Sequence, residues 1–430
     1  MELPLDLAEE RFDWRRFAAV AALAVALQAV VFGLVFTHLW YHVHDVTDIA
    51  IYHEYASWMA DGAQPYRDFA IEYPPLAVPL MRAVGHTYDI TAYTRWFSFE
   101  MFLFTLATAM VVAAAAVRLW PRDPRAYFAV ALFAAAVAAT GAIIENRYDV
   151  AVALVVAAVI GLLLTRQITL AAFVLGIGFA LKLTPVALLP LVLLFVFHRP
   201  RRVVLATLAF AFSAVLPFVP YLLMSPAGVE HVFLYHLDRP LQVESVLGMP
   251  LLVGKAFGLI PVAIGYGYGS HYIEAGPAHL LAALSGPLTV LAVAVTYALI
   301  WRRRETIVGD LRHVPLVVFA LTVAIMVFGK VFSPQYVIWL LPALALVAVK
   351  DRLLGALGFA VLLLTQVEFP SLYGRLVGLK PDVLMLVSVR NAVFVATFAV
   401  ALWRLASLPP TAAVPELPAN GSPRTRTNRL

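Results

Sequence analysis

The chain has 430 residues, 62% hydrophobic and 13% charged, with a mean hydropathy of +0.86, whereas soluble domains are about 45–50% apolar and about 25% charged. That balance excludes a soluble globular protein. The net charge is +5, but the basic residues sit in short clusters between long apolar runs, a pattern that reads as a membrane-topology signal and not as a nucleic-acid surface. Cysteine is absent, which excludes disulfides, thiolate metal sites and cysteine nucleophiles.

The first apolar stretch, residues 17–39, follows a segment of mixed charge. It is too long for a signal-peptide core and no small-residue cleavage motif ends it, so it predicts a retained transmembrane helix. Further on, Arg118, Arg122 and Arg125; Arg166; Arg199, Arg201 and Arg202; Arg302, Arg303 and Arg304; Lys350 and Arg352; and Arg404 all fall at ends that can share the cytoplasmic side. The expected fold is therefore an all-α polytopic membrane protein of about 12 spans with both termini inside. Residues 1–405 form one transmembrane domain, residues 40–96 a long first outer loop, and residues 406–430 a disordered cytoplasmic tail.

Two apolar runs are too long for one span yet carry the inside signal at both ends. Each is expected to turn back on the outer side at a lysine beside a proline: 170–181 and 186–197 around Lys182-Leu-Thr-Pro185, and 314–328 and 336–349 around Lys330 and Pro334. Paired short, Pro-interrupted segments point to a cavity at membrane depth. Residues 246–264 are apolar without an inside charge at their far end and predict a re-entrant or interfacial segment.

Polar chemistry concentrates in the outer segments. The first loop holds Asp45, Asp48, Glu54, Asp61, Asp68, Glu72 and Asp89 against Arg67, Arg82 and Arg95, so a carboxylate there is placed to act as a general base. His42, His44, Asp45 and Asp48 match no metal-ligand motif, and neither metal nor cofactor is expected. Pro74-Pro75 opens a short amphipathic run at 76–84, expected to lie on the membrane surface. Lys182, Lys330 and Arg239 supply cations suited to a phosphate.

The strings Asp48-Ile-Ala-Ile-Tyr52-His-Glu-Tyr55, Gly62-Ala-Gln-Pro65-Tyr66-Arg-Asp68 and Glu72-Tyr73-Pro-Pro-Leu76 resemble the first outer loop of glycosyltransferase family 87. Asn146-Arg147-Tyr-Asp149, Lys182-Leu-Thr-Pro185, Arg239-Pro-Leu-Gln242-Val-Glu244-Ser245 and Lys330-Val-Phe-Ser-Pro-Gln335-Tyr336 are similar to later blocks of that family in order and spacing, so that the resemblance runs from Asp45 to Pro342. It implies a GT-C-like membrane transferase of the cytoplasmic membrane, using a polyprenyl-phosphate sugar, most often mannose, on the extracytoplasmic face. The acceptor would be a lipid or glycan, and the only other partners membrane lipids, with no nucleic acid.

The resemblance further implies Asp48 as catalytic base, with Asp45 as its neighbouring rival; the cations Lys330, Lys182 or Arg239 are expected at the donor phosphate. Tyr52, Glu72, Tyr73, Arg147, Gln242, Glu244, Gln335 and Tyr336 would contact donor or acceptor, and His236 or His271 would be a second polar partner. A transporter or flippase of lipid-linked substrates is the alternative. Transporters place ionisable residues at the membrane midplane, whereas here most gather at the outer boundary.

Overall fold

The computed structural model describes residues 12–36, 47–83 and 89–409; Asp45, His42 and His44 lie outside them, as do residues 410–430 of the expected tail. Helix α1 (Trp14–Phe36) begins at a cluster of Phe12, Trp14 and Phe17 rings, an arrangement suited to a membrane boundary. The first outer loop is itself largely helical. Helix α2 (Ile49–Ala60) buries Ile49, Tyr52, Tyr55, Ala56 and Met59, one stripe at helical spacing, and ends where Gly62 takes φ 95°. After Pro74-Pro75, α3 (Ala77–Ala83) forms the expected short helix with Ala77, Val78 and Met81 buried.

Helix α4 (Ile90–Leu119) is capped by the Asp89 side chain, which accepts from Thr91 N. Helix α5 (Arg125–Thr140) leads through a 3-10 turn into α6 (Asp149–Leu164) and then α7 (Ile168–Leu181). Lys182 breaks the chain as expected, and a 3-10 segment Thr184–Leu188 continues into α8 (Leu189–Leu194). With 14 residues, α7 spans about 21 Å, short of the roughly 30 Å hydrocarbon core.

Helix α9 (Pro200–Val215) packs closely on α7. A Cβ on Gly176 would stand 2.0 Å from Ser213 Oγ, so only glycine allows that approach, in the manner of small-residue membrane interfaces. Helices α10 (Val219–Met224) and α11 (Pro226–Asp238) follow.

The run 246–264 is not one element: a 3-10 turn and α12 (Met249–Ala256) stop at Gly258 (φ 71°), and the chain then enters strand β1 (Ala263–Gly267). Strand β2 (Ser270–Glu274) pairs with it antiparallel, Gly267 facing Ser270. The two loop residues Tyr268 (φ 51°) and Gly269 (φ 65°) have the positive φ pair of a tight type I′ hairpin. Among the described residues this hairpin is the only sheet.

Helix α13 (Ala278–Arg302), α14 (Arg304–Gly309) and α15 (Val314–Val327) lead to the second lysine turn, a 3-10 segment Pro334–Leu340 and α16 (Leu341–Ala348). Helices α17 (Arg352–Glu368), α18 (Tyr373–Val377) and α19 (Pro381–Ala406) complete the chain.

Six helices among the described residues are long and apolar enough to cross a membrane, joined by shorter apolar helices of 10–17 residues. The expected polytopic helical fold is what the structure has. All residues of α16 are buried and α15 is buried on every side, so these apolar helices form the core. Helices α9 and α13 instead expose Leu205, Leu208, Phe212, Leu284, Val290 and Leu291, a perimeter suited to lipid.

The basic ends meet at one end of the bundle: Arg166 donates to Val308 O (3.0 Å), Arg303 to Ala406 O (2.7 Å) and Arg404 to Asp351 Oδ2 (2.6 Å). Arg166 follows the C-terminus of α6, whereas Asp149 and its neighbours lie at the N-terminus, at the other end of a 16-residue helix that is about 24 Å long.

Candidate active site

At the N-terminal end of α6, four separated segments meet. Asp48 sits just before α2 with its carboxylate partly exposed, and Arg147 Nε lies 3.0 Å from Asp48 Oδ2. The N–H does not point along that contact, so it is an ion pair and not a directed hydrogen bond. Arg147 is otherwise held by Asn146 Oδ1 (2.9 Å) and lies 5.9 Å over the Phe369 ring. Tyr52, one helical turn after Asp48, directs its hydroxyl at Asp48 Oδ2 (3.4 Å).

The rings of Tyr52, Tyr73 and Tyr148 stand edge to face at 5.4–6.1 Å, walling Asp48 on one side. The first loop is fastened to the bundle where Leu76 N donates to Ala180 O at the end of α7 (2.9 Å). Local sequence accounts for this: Pro74-Pro75 cannot donate, so Leu76 provides the first free N–H to anchor the segment.

A second ion pair lies two residues further on, at Asp149. Lys182 Nζ donates to Asp149 Oδ1 at 2.6 Å, and Trp339 Nε1 donates to the same oxygen at 2.7 Å. The ammonium lies 5.0–5.1 Å from the rings of Tyr148, Tyr336 and Trp339, an aromatic enclosure that favours a cation. The Lys182 charge is thus engaged. Sequence reasoning named Lys182 and Tyr336 as site residues and Asp149 only within the 146–149 block, and it did not name Trp339; their partnership links chain positions far apart.

On the far side, Lys330 Nζ donates to the Leu237 carbonyl at the end of α11. Arg239 donates to Ser270 Oγ in β2 (2.9 Å). His236 stands among these cations. Its pKa is lowered to about 4 by burial first and then by Arg239, Lys182 and Lys330, so its imidazole is neutral at physiological pH. His271 lies apart, its Nδ1 3.1 Å from Tyr373 Oη.

Gln242 and Glu244, expected near donor or acceptor, join segments. Gln242 N donates to Lys330 O (2.9 Å), its Oε1 accepts from Phe332 N (2.8 Å), and its Nε2 donates to Glu244 Oε2 (2.8 Å). Gln335 Oε1 accepts from Ser333 Oγ within the same turn. Among the described residues no group of three or more His, Cys, Asp or Glu is placed to hold a metal ion.

Glu72 accepts from Tyr55 Oη at 2.8 Å, and burial is the main cause that raises its pKa above the ordinary 4.5. A raised carboxyl means that the fold favours the protonated form, so Glu72 weakens the fold as pH rises from 4.5 through its folded value. Glu72→Gln keeps an acceptor for Tyr55 without a charge to desolvate. It is expected to melt above the parent at about pH 7–8 and level with it near about pH 4, a crossover that thermal melts at the two pH values read directly.

No family model matches the chain, and no curated protein matches it. Among solved structures it is similar to ArnT from Cupriavidus metallidurans in the apo state, with a TM-score of 0.49 and 15% identity, covering 91% of this chain and 78% of that one.

Proposed function

We propose that the protein is a membrane glycosyltransferase of GT-C type, moving a hexose, most often mannose, from a polyprenyl phosphate to a hydroxyl of a lipid or glycan acceptor on the extracytoplasmic face. The observation that carries this reading is one partly exposed carboxylate, Asp48, oriented by Arg147 and Tyr52, beside a group of cations at the end of the bundle opposite the basic cytoplasmic signals. In the reaction the acceptor oxygen bonds to the anomeric carbon as its proton passes to Asp48. The bond to the donor phosphate breaks, and the phosphate leaves with the electron pair. Fixed cations in a partly dry site stabilise the charge that develops on it. Lys330 and Arg239 fit that role, since their partners are a neutral carbonyl and a hydroxyl, whereas Lys182 is neutralised by Asp149.

The test is to incubate purified protein with polyprenyl-phosphate-mannose and a membrane lipid extract and to look by mass spectrometry for a mannosylated product. In parallel, vesicles carrying the protein are assayed for movement of the intact donor across the bilayer. Product formation supports the transferase. Translocation without product would favour a flippase.

A further inference from the structure

Beside the site lies a charge cluster that the proposed chemistry does not use. Arg390 in α19 and Glu368 at the end of α17 are fully buried, as are Asn391 and, from the segment after α11, Glu244. Ions in a dry interior are costly, and one attested reason for keeping them is that they fix one arrangement among several.

The contacts show what is fixed. Arg390 Nη2 donates to the Glu244 carbonyl at 2.6 Å, and Nη1 lies 3.9 Å from Glu368 Oε2. The same guanidinium lies 4.5 Å over the ring of Phe332, which stacks on Phe394 at 4.6 Å. Asn391 Nδ2 donates to Ser245 O at 3.1 Å. Glu244 and Ser245 belong to the segment that carries Arg239, and Phe332 belongs to the turn that carries Lys330.

We propose that Arg390, with Glu368 as counter-ion, is a positioning residue that clamps the Arg239 segment to the Lys330 turn and so sets the spacing of the two cations that receive a lipid phosphate. The identity of the ligand rests on the proposed function; the clamp does not. Gln242 joins the same two segments from their backbone side, so loss of Arg390 loosens the turn without releasing it.

The chain contains no cysteine, so Val331→Cys carries a single spin label on the turn of the full-length protein in nanodiscs. Arg390→Lys keeps the charge but loses the flat guanidinium that serves Glu244 and Phe332 together. Phe332→Leu removes the plate and keeps every ion, which leaves the test open should the arginine variant fail to fold. Both are expected to raise label mobility and to weaken binding of undecaprenyl phosphate about tenfold, the scale of one lost charge-assisted hydrogen bond for the arginine variant and of one lost desolvated cation–π contact for Phe332→Leu. Unchanged mobility and affinity in a folded variant would overturn the clamp while leaving the proposed function standing. Increased mobility in a protein that binds undecaprenyl phosphate in no form, parent included, would uphold the clamp and sink the phosphate reading.

Discussion

Asp48→Asn is expected to slow glycosyl transfer by about 10²–10⁴-fold, the range for removing a general base, while donor affinity stays within about twofold. The substitution keeps the shape of the side chain and one oxygen for Arg147 and Tyr52, now 3.0 and 3.4 Å from Oδ2; it removes the capacity to take a proton. Donor binding depends on cations elsewhere in the site and is spared. Asp45→Asn provides the comparison and should do less. Near-normal transfer by Asp48→Asn with loss in Asp45→Asn would move the base to Asp45, and activity in both would end base catalysis from this segment.

The largest effect on stability is expected at the second ion pair. Asp149 is fully buried and accepts from Lys182 and Trp339 through one oxygen. Asp149→Leu strands an ammonium among three aromatic rings, and breaking a buried pair on one side costs about 3–5 kcal/mol, a large share of the roughly 5–15 kcal/mol that holds a domain together. Lys182→Met strands Asp149 with only the Trp339 donor and should cost a similar amount. Asp149→Leu combined with Lys182→Met removes both charges and should recover most of the loss. Denaturation of the two single variants and the double one closes a mutant cycle. A double variant as damaged as the sum of the singles would mean that the two residues do not act as a pair.

Much of the architecture was legible because membrane crossing imposes length and charge rules that individual residues display. The turns at Lys182 and Lys330 were readable since a proline and a lysine interrupt uniformly apolar runs, and the structure breaks its helices there. The short helix after Pro74-Pro75 was readable for a similar local reason. The hairpin is not read, although Gly265, Gly267 and Gly269 alternating with tyrosines before a polar strand is a recognisable signal; only Ala263 and Ile264 fall in the apolar run 246–264, and the rest lies beyond it.

In the site, Asp48, Arg147 and Tyr52 come together. Partnerships across distant positions were beyond reach: Lys182 with Asp149 and Trp339, and Gln242 with the Lys330 turn, are set by packing that no local spacing reports. Arg390 and Glu368 could have been flagged, since an ionisable residue inside an apolar helix is a functional signal in itself.

The measurement that bears most directly on the central claim is the anomeric configuration of the product, read by NMR after a single turnover on a β-linked polyprenyl-phosphate hexose, with Asp48→Asn run alongside. Attack by an acceptor deprotonated at Asp48, with no covalent intermediate, predicts an α-linked product from the parent and essentially none from the variant. A β-linked product, or equal yields from both proteins, would contradict single displacement driven by Asp48.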